Sequence, residues 1–158
     1  MSARIAIIGS FRRERYGGVL DVLETFAASG FDIVSPSGSE IVDGVEFVRF
    51  ATDDASSSDQ EIQSSTLERI FSADAVYVAA PGGYVGRTTC YEIGRVVQRR
   101  QPVYFSEYPV DLPVHIPEWC VVAPDEFVLR FQGSTQFEWL FAKGSGKMFD
   151  VERGLAPP

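Results

Sequence analysis

What the chain has little of narrows its chemistry first. Its two cysteines, Cys90 and Cys120, build no disulfide framework, and the single histidine, His115, leaves no His/Cys cluster with metal-ligand spacing. No bound metal is therefore expected, and no cofactor either. Apolar runs are short: none approaches the length of a membrane span, and Met1 to Ile8 carries one basic residue and too brief an apolar stretch for a signal peptide. A cytoplasmic location follows as the expectation. Basic residues are outnumbered, 14 Lys+Arg against 22 Asp+Glu, for a formal net charge of -8. That balance argues against a nucleic-acid polymer or an anionic membrane as the main partner, while a small anionic ligand remains open wherever basic residues cluster. Internal repeats are absent too, and 158 residues suit one domain with a real core.

What is present centres on Ala75 to Glu92, AVYVAAPGGYVGRTTCYE. Ala75 to Ala80 is a short continuous apolar run of the kind found in a parallel strand buried on both faces. Gly82, Gly83 and Gly86 then allow a sharp turn and a close approach of ligand to backbone. Thr88 or Thr89 can cap the helix that follows, whose first N–H groups favour an anion or an oxygen-rich ligand. In open α/β sheets ligands sit at the carboxyl ends of the strands, so this turn is the default site.

Around that centre the chain alternates strands and helices. Arg4 to Ile8 reads as a first strand and Gly9-Ser10-Phe11-Arg12-Arg13 as the loop after it, with Arg15 close behind. Such a loop is either a solvated charged turn or a phosphate clamp of bidentate guanidinium and backbone donors, and composition leaves both readings open. Gly18 to Ser29 has helical apolar spacing and is stopped by Gly30; Asp32 to Ser35 is a second strand. Asp43-Gly44 inside Ile41 to Phe50 reads as a tight hairpin at the sheet edge, and Ala51 to Ser57 as a polar loop. Ser58 with Glu61 predicts a capping box opening a helix to about Phe71, with Ile62, Thr66 and Ile70 on one buried stripe. A helix over Thr89 to Arg99 and a strand over Val103 to Ser106 come next. The proline-rich stretch from Tyr108 to Pro124 allows at most one short strand near Trp119 to Val122. Ser134 is expected to cap a last helix bearing Phe137, Leu140 and Phe141, an aromatic face for packing or a subunit contact. Residues 1–143 thus form one α/β domain, a three-layer sandwich with a mostly parallel, Rossmann-like sheet of four or five strands. Residues 144–158 read as a flexible tail.

The order of these pieces resembles the nucleoside 2-deoxyribosyltransferase superfamily, which includes the deoxyribonucleoside 5′-monophosphate N-glycosidases. The resemblance is carried by GSFRRER after the first strand, by S-A-D-A before the central strand, and by G-R-T-T-C-Y-E-I-G-R followed by Q-P-V-Y. It covers roughly Arg4 to Glu107 and is absent from the last third of the chain. It implies that Glu92 matches a glutamate in the first turn of this helix that attacks the anomeric carbon of the sugar. Water or a second base then resolves the covalent intermediate. It further implies substrate contacts from Gly9, Ser10, Phe11, Arg12 and Arg13, from Gly82, Gly83, Tyr84, Gly86, Arg87, Thr88 and Thr89, and from Thr66. A homodimer or larger homo-oligomer that completes its pockets across subunits is also implied. Three positions depart from the family pattern: Thr66 falls where an aspartate handles the base or a proton, Ala6 where many members have tyrosine, and Gly86 where transferases often bind the sugar hydroxyl with aspartate.

Other readings stay open. Thr89-x-x-Glu92 is also the spacing of a capping box, in which Glu92 would only bond the backbone and favour the helix dipole. A non-catalytic nucleotide-binding or sensing domain of the same fold would explain the missing acid at Thr66. A dinucleotide-binding protein is the third reading, with Gly82-Gly83-x-x-Gly86 opening a helix and Glu107 closing the next strand. The leading expectation is cleavage of the N-glycosidic bond of a nucleoside or nucleoside 5′-monophosphate, by hydrolysis or deoxyribosyl transfer.

Overall fold

The two nearly continuous apolar runs, RIAIIG and AVYVA, have no polar face to offer water, which places them in the middle of a sheet covered on both sides. The computed structural model, which describes residues 1–10, 16–36, 56 and 58–142, puts them there. Four strands, β1 (Arg4–Gly9), β2 (Asp32–Ser35), β3 (Ala75–Ala79) and β4 (Val103–Phe105), form one all-parallel sheet in the order β2-β1-β3-β4. Every residue of β3 is buried, whereas the edge strand β2 is partly open and β4 has only three residues.

Parallel neighbours need crossovers, and the helices supply them: α1 (Tyr16–Ala27), α2 (Asp59–Phe71), α3 (Arg87–Gln98) and α4 (Pro124–Phe131). The step from β1 to β2 runs one way along the sheet; the steps to β3 and β4 run the other way. With right-handed crossovers this reversal places α1 on one face and both α2 and α3 on the other. The contacts agree, since α1 packs with α4 and α2 with α3. The outcome is the three-layer α/β sandwich expected from the sequence, with a Rossmann-like parallel sheet. The reversal falls between β1 and β3, whose carboxyl ends lie side by side with Gly9 opposite Ala79. That is the position at which a doubly wound sheet opens a crevice.

Local signals account for most boundaries. Ser58 accepts from the Glu61 N–H and Glu61 accepts from the Ser58 N–H, so the capping box that starts α2 is complete. At the far end of α2, the buried Gln101 amide donates to the carbonyls of Ile70 and Ala73, supplying partners that a helix C-terminus lacks. Asp74 accepts from the Arg4 N–H and the Arg4 guanidinium donates to Ser72, which ties the α2–β3 junction to the start of β1. The S-A-D-A and Q-P-V-Y segments are therefore explained by the fold itself, at the edge of the sheet away from the crevice.

One expectation fails in the last third. No helix follows Ser134: residues 135–139 have no regular secondary structure, and the helix is α4, earlier in the chain. Pro124 opens it at the first helical position, where a missing N–H costs nothing, and Asp125 and Glu126 favour its dipole. The stretch Trp119 to Val122 forms a 3-10 turn (Glu118–Cys120) and a single bridge from Val121 to Phe105, within the expected limit of at most one short strand. The aromatic residues do pack. Phe127 contacts Phe26, Tyr77, Tyr104 and Phe131, and Phe137 stacks on it at 6.1 Å, while Leu140 and Phe141 are fully buried. Truncating Phe127 to Ala would cost about 3–5 kcal/mol, because this cluster has no apolar surface to spare. The expected hairpin at 41–50, most of the polar loop 51–57 and the tail 144–158 lie outside the described residues.

Candidate functional site

The buried stripe of α3 is Thr89, Glu92, Ile93, Val96 and Val97, a spacing that turns one face of the helix to the sheet. Glu92 occupies a place on that stripe where an apolar residue would be ordinary, and it is 6% exposed. An ionised carboxylate there loses its hydration and needs compensation. Among the described residues one donor provides it: the Gln63 side-chain N–H bonds Glu92 Oε1 at 3.0 Å. Gln63 stands in the second turn of α2 and Glu92 in the second turn of α3. Both helices start at the carboxyl edge of the sheet and run parallel, so the pair meets where they pack against each other.

This geometry decides between two readings of Glu92. The helix begins at Arg87, with Gly86 as its N-cap and no side-chain cap bond, so neither Thr88 nor Thr89 caps it. Glu92 is the sixth helical residue rather than the third, and its bond goes to a side chain on another helix rather than to the cap backbone. A capping box is thereby excluded, and a place in the first turn is corrected to the second. Burial pushes the Glu92 carboxyl up to about 7, against the lowering effect of the Gln63 hydrogen bond. A carboxyl poised there exchanges its proton near neutrality, a property suited to acid or base work, while nucleophilic work draws on its ionised form.

The glycine turn has a definite form. Pro81–Gly83 is a 3-10 turn, and Gly83 and Gly86 have φ of 77° and 83°, a region that side chains strain to enter. At Gly83 a Cβ would also strike the Tyr108 carbonyl oxygen at 2.7 Å. The segment after β4 therefore lies directly on the turn. Val110 N–H donates to the Gly83 carbonyl, and the Asp111 carboxylate accepts from Val85 N–H at 2.8 Å and Gly86 N–H at 3.0 Å. An internal carboxylate thus holds these two backbone donors of the turn. The N–H groups of Arg87, Thr88 and Thr89 stand in the first helical turn, the first intrahelical bond being from Cys90 N–H to the Gly86 carbonyl.

Of the other predicted contacts, Gly9 ends β1 opposite Ala79 and Ser10 follows it, both buried. Phe11, Arg12, Arg13 and Arg15 lie outside the described residues. Gly82, Arg87 and Thr88 are exposed, Tyr84 is half-buried, and Thr89 is buried beside Glu92 on the α3 stripe. Thr66 lies one turn beyond Gln63 on α2, half-buried, and its hydroxyl accepts from the Arg69 guanidinium at 3.2 Å. The structure thus brings Glu92, Thr89 and the turn together on α3, and Gln63 and Thr66 on the adjoining helix.

Gln63 and Asp111 were missed. For Gln63 a signal existed, since Gln63, Leu67 and Ile70 recur at helical spacing and place an amide on an inward stripe. For Asp111 there was none, because its partners lie across a loop whose path only folding sets. A groove of about 430 Å³ between α1 and α4, lined by Thr25, Ala28, Ser29, Asp125, Val128, Leu129 and Gln132, lies toward the opposite edge of the sheet. It holds one titratable group and no buried one, so chemistry points to the Glu92 side instead. Among the described residues no cluster of His, Cys, Asp and Glu has the arrangement of a metal site, and no helix is long and apolar enough to cross a membrane.

Fold and site together define an α/β protein with a parallel Rossmann-like sheet and a buried, amide-bound carboxyl beside its switch point. No family model matches the chain, and neither a curated protein nor a solved structure matches it.

Proposed function

We propose that the protein cleaves the N-glycosidic bond of a nucleoside or nucleoside 5′-monophosphate, with Glu92 as the nucleophile. The supporting observation is Glu92 itself, a carboxyl that no cap and no ion pair among the described residues explains, on the sheet-facing stripe of the helix that leaves the glycine turn. In this reading a carboxylate oxygen bonds to the anomeric carbon as the carbon–nitrogen bond breaks, and the electron pair leaves with the base, which takes its proton from water. Attack of water, or of a second base, on the same carbon releases Glu92. The resemblance of the GSFRRER and G-R-T-T-C-Y-E-I-G-R segments to deoxyribosyltransferases supports the same substrate class. A neighbouring copy completing the site belongs to this proposal, as does a cytoplasmic location.

The test is incubation with a panel of nucleosides and 5′-monophosphates, read by chromatography of released base, for the parent and for Glu92→Gln. Release from one member of the panel, lost in the variant, is the expected result. Because the nucleophile must be ionised, the rate should rise with pH through about 7 and then level off. A rate that falls above that pH would assign Glu92 to proton donation instead.

A second reading, a nucleotide-binding domain without catalysis, is favoured by one observation. Thr66 bonds Arg69, and among the described residues no second carboxyl bonds it there to assist the leaving base. Binding of a panel member without release of base would select it. The dinucleotide reading is weakened, since the Val85 and Gly86 N–H groups that would meet a pyrophosphate already bond Asp111.

A further inference from the structure

We propose that Gln63 is the positioning residue for Glu92: its amide holds Oε1, fixes the carboxylate at the α2–α3 contact, and leaves Oε2 as the attacking oxygen. The proposal rests on the reading of Glu92 as nucleophile and adds a residue from a different helix to it.

Three observations carry it. The two side chains come from positions 29 residues apart in sequence, yet they meet at 3.0 Å in the second turns of two parallel helices. Among the described residues Oε1 is the Glu92 oxygen that has a hydrogen-bond partner, and that partner is an amide. An amide is the suitable donor for a nucleophile. A Lys or Arg in its place would hold the carboxylate ionised but would also neutralise the charge that attacks, whereas a neutral N–H orients it and subtracts little nucleophilicity.

Among the described residues no charged neighbour takes over this role. Strands β3 and β4, under α3, carry no charged residue. On α2, Glu61 and Glu68 are exposed, and Arg69 bonds the Thr66 hydroxyl; on α3, Arg87 and Arg95 are exposed. Burial and Gln63 are therefore the opposing influences on the Glu92 proton among the described residues.

The experiment compares the parent with Gln63→Met, which keeps length and volume but removes the donor, and Gln63→Asn, which keeps an amide on a shorter arm. Glu92 is followed directly by carbon NMR of chain labelled at the glutamate side-chain carboxyl, its signal identified as the one missing in Glu92→Gln. Loss of a hydrogen bond to a charged group is expected to raise the Glu92 midpoint by about one to two pH units in Gln63→Met, with Gln63→Asn between it and the parent. Base release should lose at least about tenfold in kcat at neutral pH in Gln63→Met, with part of the loss recovered at higher pH. An unchanged midpoint in both variants overturns the proposal. If Gln63→Met does not fold, the midpoint of Gln63→Asn alone decides. The two claims fail separately: a panel that yields no base removes the glycosidase reading, while the titration still reports whether Gln63 controls Glu92.

Discussion

Replacing Glu92 by Gln should remove activity and stabilise the protein at the same time. The carboxyl has a folded-state pKa of about 7 against an ordinary 4.5, so between those values the folded chain binds a proton that the unfolded chain has released. A raised pKa of this kind gives stability that is fully present below about 4.5 and is lost as pH rises through about 7. At about 1.4 kcal/mol per unit, the gap between 4.5 and about 7 corresponds to about 3 kcal/mol by neutral pH and above. Glutamine keeps the shape and presents an oxygen to the Gln63 N–H, but carries no charge to bury. The variant should therefore match the parent near pH 4 and exceed it by up to about 3 kcal/mol at pH 8. For a domain of this size that is a difference of roughly 6–12 °C in Tm. Urea unfolding of both proteins across this pH range measures it directly. Parallel stability curves, with no gap opening above pH 5, would refute the buried-carboxylate account of Glu92. A gap of the expected sign would be the usual trade between stability and a group held for chemistry.

Other outcomes are expected at the turn and on α2. Asp111→Ala leaves the Val85 and Gly86 N–H groups without their acceptor and should cost roughly 1 kcal/mol, seen as a fall of a few degrees in Tm, whereas an unchanged Tm would mean water replaces the carboxylate without loss. Thr66→Asp would place a carboxylate beside the Arg69 guanidinium, which holds it ionised and unfit to protonate a leaving base, so base release should not rise; a gain of roughly 10²-fold would contradict this. Neutralising Arg12 or Arg13 should weaken binding of a 5′-monophosphate by about 1.5–3 kcal/mol and spare the matching nucleoside, as calorimetry can show; equal losses for both ligands would assign these arginines to structure.

How far the sequence alone reached can be judged residue by residue. Apolar runs too continuous for a half-exposed strand placed β1 and β3 at the sheet centre, and Ser58 with Glu61 started α2 where the capping box now stands. These features are local: each follows from side chains within a turn or a strand of one another. Helix α4 escaped because Pro124 was read as the end of a loop, although proline is well placed at a first helical position; the residues after Ser134 bury their aromatic side chains without forming a helix. Glu92 was visible as a residue, but its spacing from Thr89 fitted a cap as well as a nucleophile. Where the helix starts is settled by the positive φ of Gly86 and the loop folded over it, and with that start Glu92 becomes an inward residue. Its partner Gln63 and the anion stand-in Asp111 were decided only by tertiary structure. Hydrogen bonds between elements depend on how two helices or two loops are brought together, and the crossover handedness that does so acts on the whole sheet rather than on any stretch of sequence.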